Sequence, residues 1–450
     1  MIELTLAELA DVTGGTLHGD PATAVTGAPS VDSRAVDPGG LFVAVAGEHV
    51  DGHDFAAAAL AGGAAAVLAS RPLDGPCVVV DDVVVALGLV ARHVVDRLDG
   101  LRVVGVTGSA GKTSVKDLLA HLLAGFGPTV APTGSFNNEL GVPLTVLRAD
   151  ERTRFLVVEM GARGVGHIRL LCDIAPPDVA VVLNVGSAHL GEFGSPERTA
   201  QAKGELVEAL RPDGIAVLNA DDVRVAAMAS RTQAPVLTFG GEGADVAATD
   251  VSLDASGEVD LVVVHAGQRR PAHLPLLGEH QAANAAAALA VVQALGLDVD
   301  RAVDALATAR PASPMRMQRE VRADGLVVVN DAYNANPESA AAAVDALAAM
   351  GGEGATYAVL GEMLELGEGS DAAHRALGEH AVARGVDHVL AVGAGAAPVA
   401  EGAGERGHAV PDTDAAVAWL RERVAPGDAV LVKASRGSRL ERVADALLTG

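Results

Sequence analysis

The sequence predicts an α/β protein of three domains: a small mixed α/β N-terminal domain (1–98), a central domain on a parallel sheet (99–312) and a C-terminal Rossmann-like open α/β domain (313–450). Three observations predict it. A length of 450 residues suits about three domains at roughly 150 residues each. Short aliphatic runs alternate with amphipathic helical stretches, the pattern of sheets covered by helices. Two prolines in Arg310-Pro-Ala-Ser-Pro314 interrupt any helix between two such series and mark an interdomain linker.

In the first hundred or so residues, the runs Leu41 to Ala46 and Cys77 to Val80 lie between Gly, Pro and Asp turns. A new pattern starts at Leu101: an apolar strand (Val103 to Val106), a Gly-rich turn, then a helix with Val115, Leu118, Leu119 and Leu122 on one face. Further strands at Phe155 to Val158, Val179 to Leu183 and Ile215 to Leu218, interleaved with helices, predict a largely parallel sheet covered on both sides. Gly240 to Gly257, rich in Gly, Asp and Ala, predicts loops or a hairpin excursion, and His280 to Leu295 a helix. Beyond the linker, strands at Val327 to Val329, Ala358 to Leu360, Val389 to Val392 and Val430 to Val432 alternate with helices after Pro337, near His374 and around Trp419.

Composition narrows the function classes. Half the residues are apolar but only 2% are aromatic, so the core must be built from Ala, Val and Leu. The uncharged runs Phe55 to Ala69 and Gln281 to Leu297 are too alanine-rich for a membrane span, which needs about 20 strongly apolar residues, so no membrane insertion is expected. The opening MIELTLAELADVTGG has neither a basic start nor an apolar core, so no signal peptide is expected. Cys77 and Cys172 stand alone, without metal-ligand spacing; a reduced, cytoplasmic protein without structural zinc is expected. A net charge of −25 argues against nucleic acid as partner, because displacing counterions from phosphates needs a basic surface. The 33 basic side chains include only four lysines, Lys112, Lys116, Lys203 and Lys433, so a surviving lysine marks a place where arginine cannot do the chemistry.

The strongest chemical signal is Gly105-Val-Thr107-Gly108-Ser109-Ala110-Gly111-Lys112-Thr113-Ser114 between strand and helix. Glycines let backbone N–H groups approach phosphate oxygens, the helix start adds positive potential, and Lys112 supplies a mobile charge. Thr113 can place its hydroxyl on Mg²⁺. Val106 occupies the first glycine of the strict phosphate-loop pattern, and an ordinary glycine turn is the competing reading. Glu159 ends an apolar strand, where ligands collect in an open α/β sheet; it is either a Mg²⁺ ligand or a solvated strand-end carboxylate. His189 follows the next strand and is otherwise a surface histidine. Gly393-Ala-Gly395-Ala-Ala-Pro398 has proline where a dinucleotide fingerprint needs glycine or alanine, which excludes a nicotinamide or flavin site.

In order, these pieces resemble the Mur ligase family of ATP-dependent amide-forming enzymes of cell-wall precursor synthesis. The family's phosphate loop is Thr-Gly-x-x-Gly-Lys-Thr, which Thr107 to Thr113 fits. The resemblance extends to Asn137-Asn138-Glu-Leu-Gly141-Val-Pro143, Glu159-Met-Gly161, Asn184 to His189, Ala202-Lys203-Gly204-Glu205, Gly278-Glu-His280 through Asn284, Asp331-Ala-Tyr333-Asn334-Ala-Asn336-Pro337 and Lys433-Ala-Ser435-Arg436. Tyr333 to Pro337 and Gly361-Glu-Met-Leu-Glu365-Leu-Gly367 look like the member that adds D-Ala-D-Ala to UDP-N-acetylmuramoyl-tripeptide. The member adding the third residue shares Asp32-Ser33-Arg34 but typically carries an Asp-Asn-Pro-Arg element, which this chain lacks.

The resemblance implies a central domain of P-loop ATPase type, ATP and two Mg²⁺ ions, and a monomer. It implies that Lys112 and the backbone from Gly108 to Thr113 hold phosphates, that Thr113 and Glu159 ligate one Mg²⁺, and that His189 with a carboxylated Lys203 ligates another. Asn284 is carried over as an adenine contact, with Arg316 and Asp331 reaching phosphates and ribose. Ser33, Arg34 and the Gly47 to Phe55 segment would take the UDP portion. Asn137, Asn138 and Asn334 would contact substrate. Lys433, Ser435 and Arg436 would neutralise the dipeptide's carboxylate or the phosphates, with a helix-start charge cluster as the alternative. An unrelated P-loop phosphotransferase or GTPase would explain the phosphate loop but not the Asn184 to Lys203 and Tyr333 to Pro337 segments, and the presence of every metal ligand that the resemblance implies argues against a noncatalytic nucleotide-binding scaffold.

Overall fold

The computed structural model describes residues 1–47, 49–186, 193–352 and 354–449, with the side chain of Glu368 also left out. Besides a two-stranded antiparallel pairing of Leu4–Thr5 with Ala24–Val25, three larger sheets follow one another along the described residues. The first has four strands in the order Thr16–His18, Cys77–Val79, Ala66–Ala69, Leu41–Val43. Ahead of it, Thr5 and Glu8 form a reciprocal capping box that starts the Leu6–Thr13 helix, satisfying two otherwise orphaned N–H groups. Asp82 caps the Val83–Arg97 helix, whose Leu87, Val90 and Val94 join Leu171 and Ile174 of the following region in one continuous core.

The central sheet has nine strands. Arg102–Thr107 lies between Phe155–Glu159 on one side and Val179–Val182 on the other, all parallel. Its side chains alternate between two cores, Val103 into one and Val104 and Val106 into the other, as a strand buried on both faces requires. On the second face pack Val115, Leu118, Leu119 and Leu122 of the Lys112–Ala124 helix and the almost wholly buried Ala-rich helix His280–Ala294. The sheet departs from the expected parallel plan at one edge. Val246–Leu253 still pairs parallel with Val236–Gly240, but Glu258–His265 and Gln268–Leu277 add on antiparallel. The Gly240 to Gly257 stretch is therefore part of a hairpin excursion, and its Val246–Leu253 portion is strand rather than loop.

The third sheet runs Gln318–Val321, Val327–Asp331, Ala429–Lys433, Thr356–Leu360, His388–Val392, Gly407–Val410, parallel except for its first edge. Small side chains build both of its cores, with Ala340, Ala343 and Val344 on one face and Val443, Ala444 and Leu447 on the other. Because Asp331 and Lys433 are register partners, two ionisable strand ends lie side by side. No helix among the described residues is long and apolar enough to cross a membrane.

Candidate active site

Strand order fixes where the site forms. From the Arg102–Thr107 strand the chain runs out to the edge strand Thr129–Val130, returns to Phe155–Glu159 on one side and then crosses to Val179–Val182 on the other, and the crevice opens beyond the carboxyl end of Arg102–Thr107 at this reversal. Register partners there are Val106 with Glu159 and Thr107 with Val182, so the glycine-rich loop, Glu159 and the Leu183-Asn184 strand exit converge. The loop and Glu159 border a cavity of about 480 Å³, whose other wall carries Arg316, Tyr333, Asn334, Asn336 and Ser339.

The loop's shape is dictated locally. Gly111 caps the Lys112–Ala124 helix in the left-handed region at φ +82°, and a Cβ there would sit 2.7 Å from Asn284 Oδ1. Lys112 Nζ donates back to the Gly108 carbonyl at 2.7 Å. Burial depresses its ammonium below the usual lysine range; the Glu159 carboxylate opposes this and the Arg316 charge adds to it. Not every loop N–H faces a phosphate: Ser109 N donates to the Asn184 carbonyl at 3.1 Å and Ala110 N to Asn184 Oδ1 at 2.8 Å. Of the Gly108–Thr113 backbone expected to hold phosphates, these two donors are thus engaged by Asn184. The helix-start N–H groups from Gly111 onward remain for phosphate.

Thr113 is the centre of the polar network. Its hydroxyl donates to Glu159 Oε2 at 2.9 Å, lies 2.9 Å from Ser135 Oγ, and accepts from Arg316 Nη2 at 3.3 Å. Asn137 Nδ2 donates to the other carboxylate oxygen, Oε1, at 2.8 Å, so Glu159, buried to 1% exposure, is held from two sides. Asn138 accepts from Gly141 N and shapes the loop beside it. Arg316 lies 4.3 Å over the Tyr333 ring, and Arg436 flanks the same ring at 5.9 Å. Arg316 Nε, on the cavity wall, and Thr107 Oγ1, behind the loop, are buried with no hydrogen-bond partner among the described residues, an unusual condition that for Arg316 an acceptor in the cavity would relieve.

Lys203 lines the same cavity from the Pro196–Glu208 helix, which Ser195 caps. Its neighbours in sequence explain its placement. Glu205 accepts from Gly166 N and Arg169 N, capping the start of the His167–Ile174 helix. Gly204 lets the Arg231 guanidinium lie flat on the helix: a Cβ there would be 1.8 Å from Nη1, which donates to the Ala200 carbonyl. Lys203 is thus turned inward, and burial followed by the Lys112 charge pushes its ammonium well below the usual range.

Several expected residues lie apart from the cavity lining. Asp331 is engaged by Lys433 Nζ at 2.5 Å and by Met317 N, and Lys433 also donates to the Asn334 carbonyl. Ser435 Oγ accepts from Leu364 N, and Arg436 reaches toward Met315. Asn284 packs on Gly111 and donates to Gln281. Ser33 and Arg34 belong to the first sheet's region, where the exposed Arg34 pairs with Asp32. His189 lies outside the described residues. The sequence reading left out Ser135, Arg163 and His167, which border the cavity, and Asn184 as the loop's clamp. Asn184 was findable by the strand-end rule that singled out Glu159.

Comparison with known proteins extends over the whole chain. Residues 106–292 match the family model described as Mur ligase middle domain, 315–436 the Mur ligase, glutamate ligase domain, and 30–94 the Mur ligase family, catalytic domain. The chain is 45% identical to a UDP-N-acetylmuramoyl-tripeptide–D-alanyl-D-alanine ligase of Mycobacterium tuberculosis, covering 100% of this chain and 98% of that protein. It is 38% identical to the Escherichia coli enzyme of the same name over 99% of both. Among solved structures, MurF from Acinetobacter baumannii superposes with a TM-score of 0.90 at 31% identity over 100% of both chains. The Thermotoga maritima MurF ligase in complex with ADP gives 0.82 at 35% identity, covering 94% of this chain and 98% of that one.

Proposed function

This chain belongs to the Mur ligase family, and we propose that it joins D-alanyl-D-alanine to UDP-N-acetylmuramoyl-tripeptide, converting ATP to ADP and phosphate. The observation that carries the reading is the shared cavity, with the phosphate loop on one wall and Arg316, Tyr333 and Asn334 on the other. A carboxylate does not condense with an amine at neutral pH, because its oxygen is a poor leaving group. Transfer of the γ-phosphoryl of ATP to the tripeptide's terminal carboxylate breaks the bond to ADP and forms an acyl phosphate. The D-Ala-D-Ala amine then attacks that carbonyl, phosphate departs, and the nitrogen loses a proton as the amide forms.

The protein's part is positioning and charge. Lys112 swings from the Gly108 carbonyl to the β and γ phosphates, joined by the helix-start N–H groups and by Arg316, whose unpartnered Nε awaits an acceptor. The Thr113 hydroxyl and Glu159 carboxylate, both hard oxygens, fit one Mg²⁺ ion; His189 and a carboxylated Lys203 would hold the second. Those ions supply charge neutralisation. The depressed ammonium of Lys203 supports the carboxylated form, since a neutral amine adds CO₂ and releases a proton to give a carbamate.

Asn284 and Asp331 would face the nucleoside, with Asp331 released from Lys433 as the lobes adjust. Ser33 and Arg34 would take the UDP portion in lobe 1–98, and Lys433, Ser435 and Arg436 the dipeptide in lobe 313–450, with ATP on lobe 99–312 between them. Closure of the outer lobe shields the acyl phosphate from water. The same reading takes the protein to be a monomer acting in the cytoplasm, where ATP is available. The test is ADP release with a panel of substrates. UDP-muramoyl-tripeptide plus D-Ala-D-Ala is expected to turn over much faster than the dipeptide precursor plus lysine or diaminopimelate; the opposite order overturns the assignment.

A further inference from the structure

The proposed chemistry uses Lys112, Lys203 and Lys433 and leaves Lys116 without a part, although it too is a lysine in an arginine-preferring chain. Lys116 is 2% exposed, on the helix that begins at the phosphate loop. Its ammonium has three protons and meets three acceptors: the Pro132 carbonyl at 3.1 Å, Ser313 Oγ at 3.1 Å and the Asp117 carboxylate. Asp117 in turn accepts from Ser313 N at 3.0 Å. The ammonium thus ties the phosphate-loop helix to two other segments, the loop through Pro132 and the linker through Ser313. Three residues further along each segment, Ser135 and Arg316 meet at Thr113, itself three residues before Lys116: Ser135 Oγ is 2.9 Å and Arg316 Nη2 3.3 Å from the Thr113 hydroxyl, and 3.3 Å from each other.

We propose that Lys116 is a positioning residue which, by clamping the linker and the Pro132 loop to the phosphate-loop helix, delivers Arg316 and Ser135 to the nucleotide. The inference rests on the reading that Arg316 meets the ATP phosphates. It also accounts for the residue type. A compact ammonium on a flexible stem can satisfy three acceptors converging from different directions, whereas the planar guanidinium fork cannot fill the same point.

The test uses the full-length protein and two readouts: kcat for amide formation, and affinity for a nonhydrolysable ATP analogue by calorimetry. Lys116→Met is expected to lower kcat by about 10- to 100-fold, the scale of an ångström-level misplacement, and to weaken analogue binding while leaving KM for the UDP substrate unchanged. Ser313→Ala, which keeps the ammonium paired with Asp117, is expected to shift both readouts in the same direction by less, and serves if Lys116→Met fails to fold. In an Arg316→Ala background the further loss from either variant should shrink to about threefold or less, because the group being positioned is gone. Full multiplication of the two losses would overturn the proposal and leave the Arg316 assignment standing. Wild-type affinity and kcat in Arg316→Ala alone would overturn that assignment and this inference with it.

Discussion

At 4% and 2% exposure, Lys203, which lines the cavity, and Lys433, which lies apart from its lining, are almost equally buried, yet their surroundings treat them in opposite ways. On the C-terminal side, Lys433 ends a strand whose register partner ends in Asp331, and the pair closes at 2.5 Å with the Asn334 carbonyl as a further acceptor. On the middle-lobe side, the influences on Lys203 are burial first and the like charge of Lys112 second, and both disfavour the ammonium. A neighbouring carboxylate makes a buried lysine an anchor, whereas a neighbouring cation makes it a source of neutral amine. The two surroundings therefore differ in kind: one closes Lys433 into an ion pair between neighbouring strand ends, the other disfavours the charged form of Lys203.

The largest expected effect breaks the comparison on activity. Lys203→Arg should be as damaging as Lys203→Ala, each lowering kcat by about 10²-fold or more, because arginine keeps the charge but remains protonated. A short-chain carboxylate added to Lys203→Ala should restore part of the turnover. Near-wild-type activity in the arginine variant, measured by ADP release, would show that the residue acts as a cation. The next effect is on stability and concerns Lys433. Asp331→Leu alone leaves a buried ammonium without its carboxylate and should cost about 3–5 kcal/mol in denaturant unfolding. The double variant Asp331→Leu/Lys433→Met should recover much of that loss. Equal destabilisation by the single and the double variant would mean the pair is not what holds these strand ends.

The two regions also differed in how legible they were in sequence. The phosphate loop is contiguous, and its strand, glycines and helix are local signals, so Gly111, Lys112 and Thr113 could be placed with no knowledge of the fold. Glu159 followed from a single rule about strand ends. The ion pair of Lys433 with Asp331, 102 residues apart, was not readable, because it depends on which strands lie adjacent in the third sheet. The Arg316 contact with Thr113 spans 203 residues and depends on how the linker docks. The antiparallel edge was legible only in part. Val259, Leu261 and Val263 alternate with less buried residues as a half-buried strand should, but the adjoining Gly- and Asp-rich stretch is compatible with loops as well as with a hairpin excursion. Gly204 was quoted only as part of a motif; that its missing Cβ makes room for Arg231 is a fact of tertiary packing.

The smallest expected effect sharpens the comparison through pH. The folded-state pKa of Lys203 is depressed, while in the unfolded chain it returns to about 10.4. Between those two values the unfolded chain binds a proton that the folded site refuses, so folding stability should rise with pH across that window. Below the folded pKa the ammonium must be buried, and the penalty is complete. Lys203→Met removes the titration, keeps a side chain of similar length, and should stabilise the folded protein near neutral pH by about 1 to 3 kcal/mol while abolishing turnover. The gap between the two proteins should close as the pH approaches the unfolded lysine's value. The measurement is thermal midpoint against pH for both proteins in bicarbonate-free buffer, so that no carbamate forms. Parallel curves would mean that Lys203 keeps its proton in the folded state, and the contrast with Lys433 would then lie only in which partner each lysine has found.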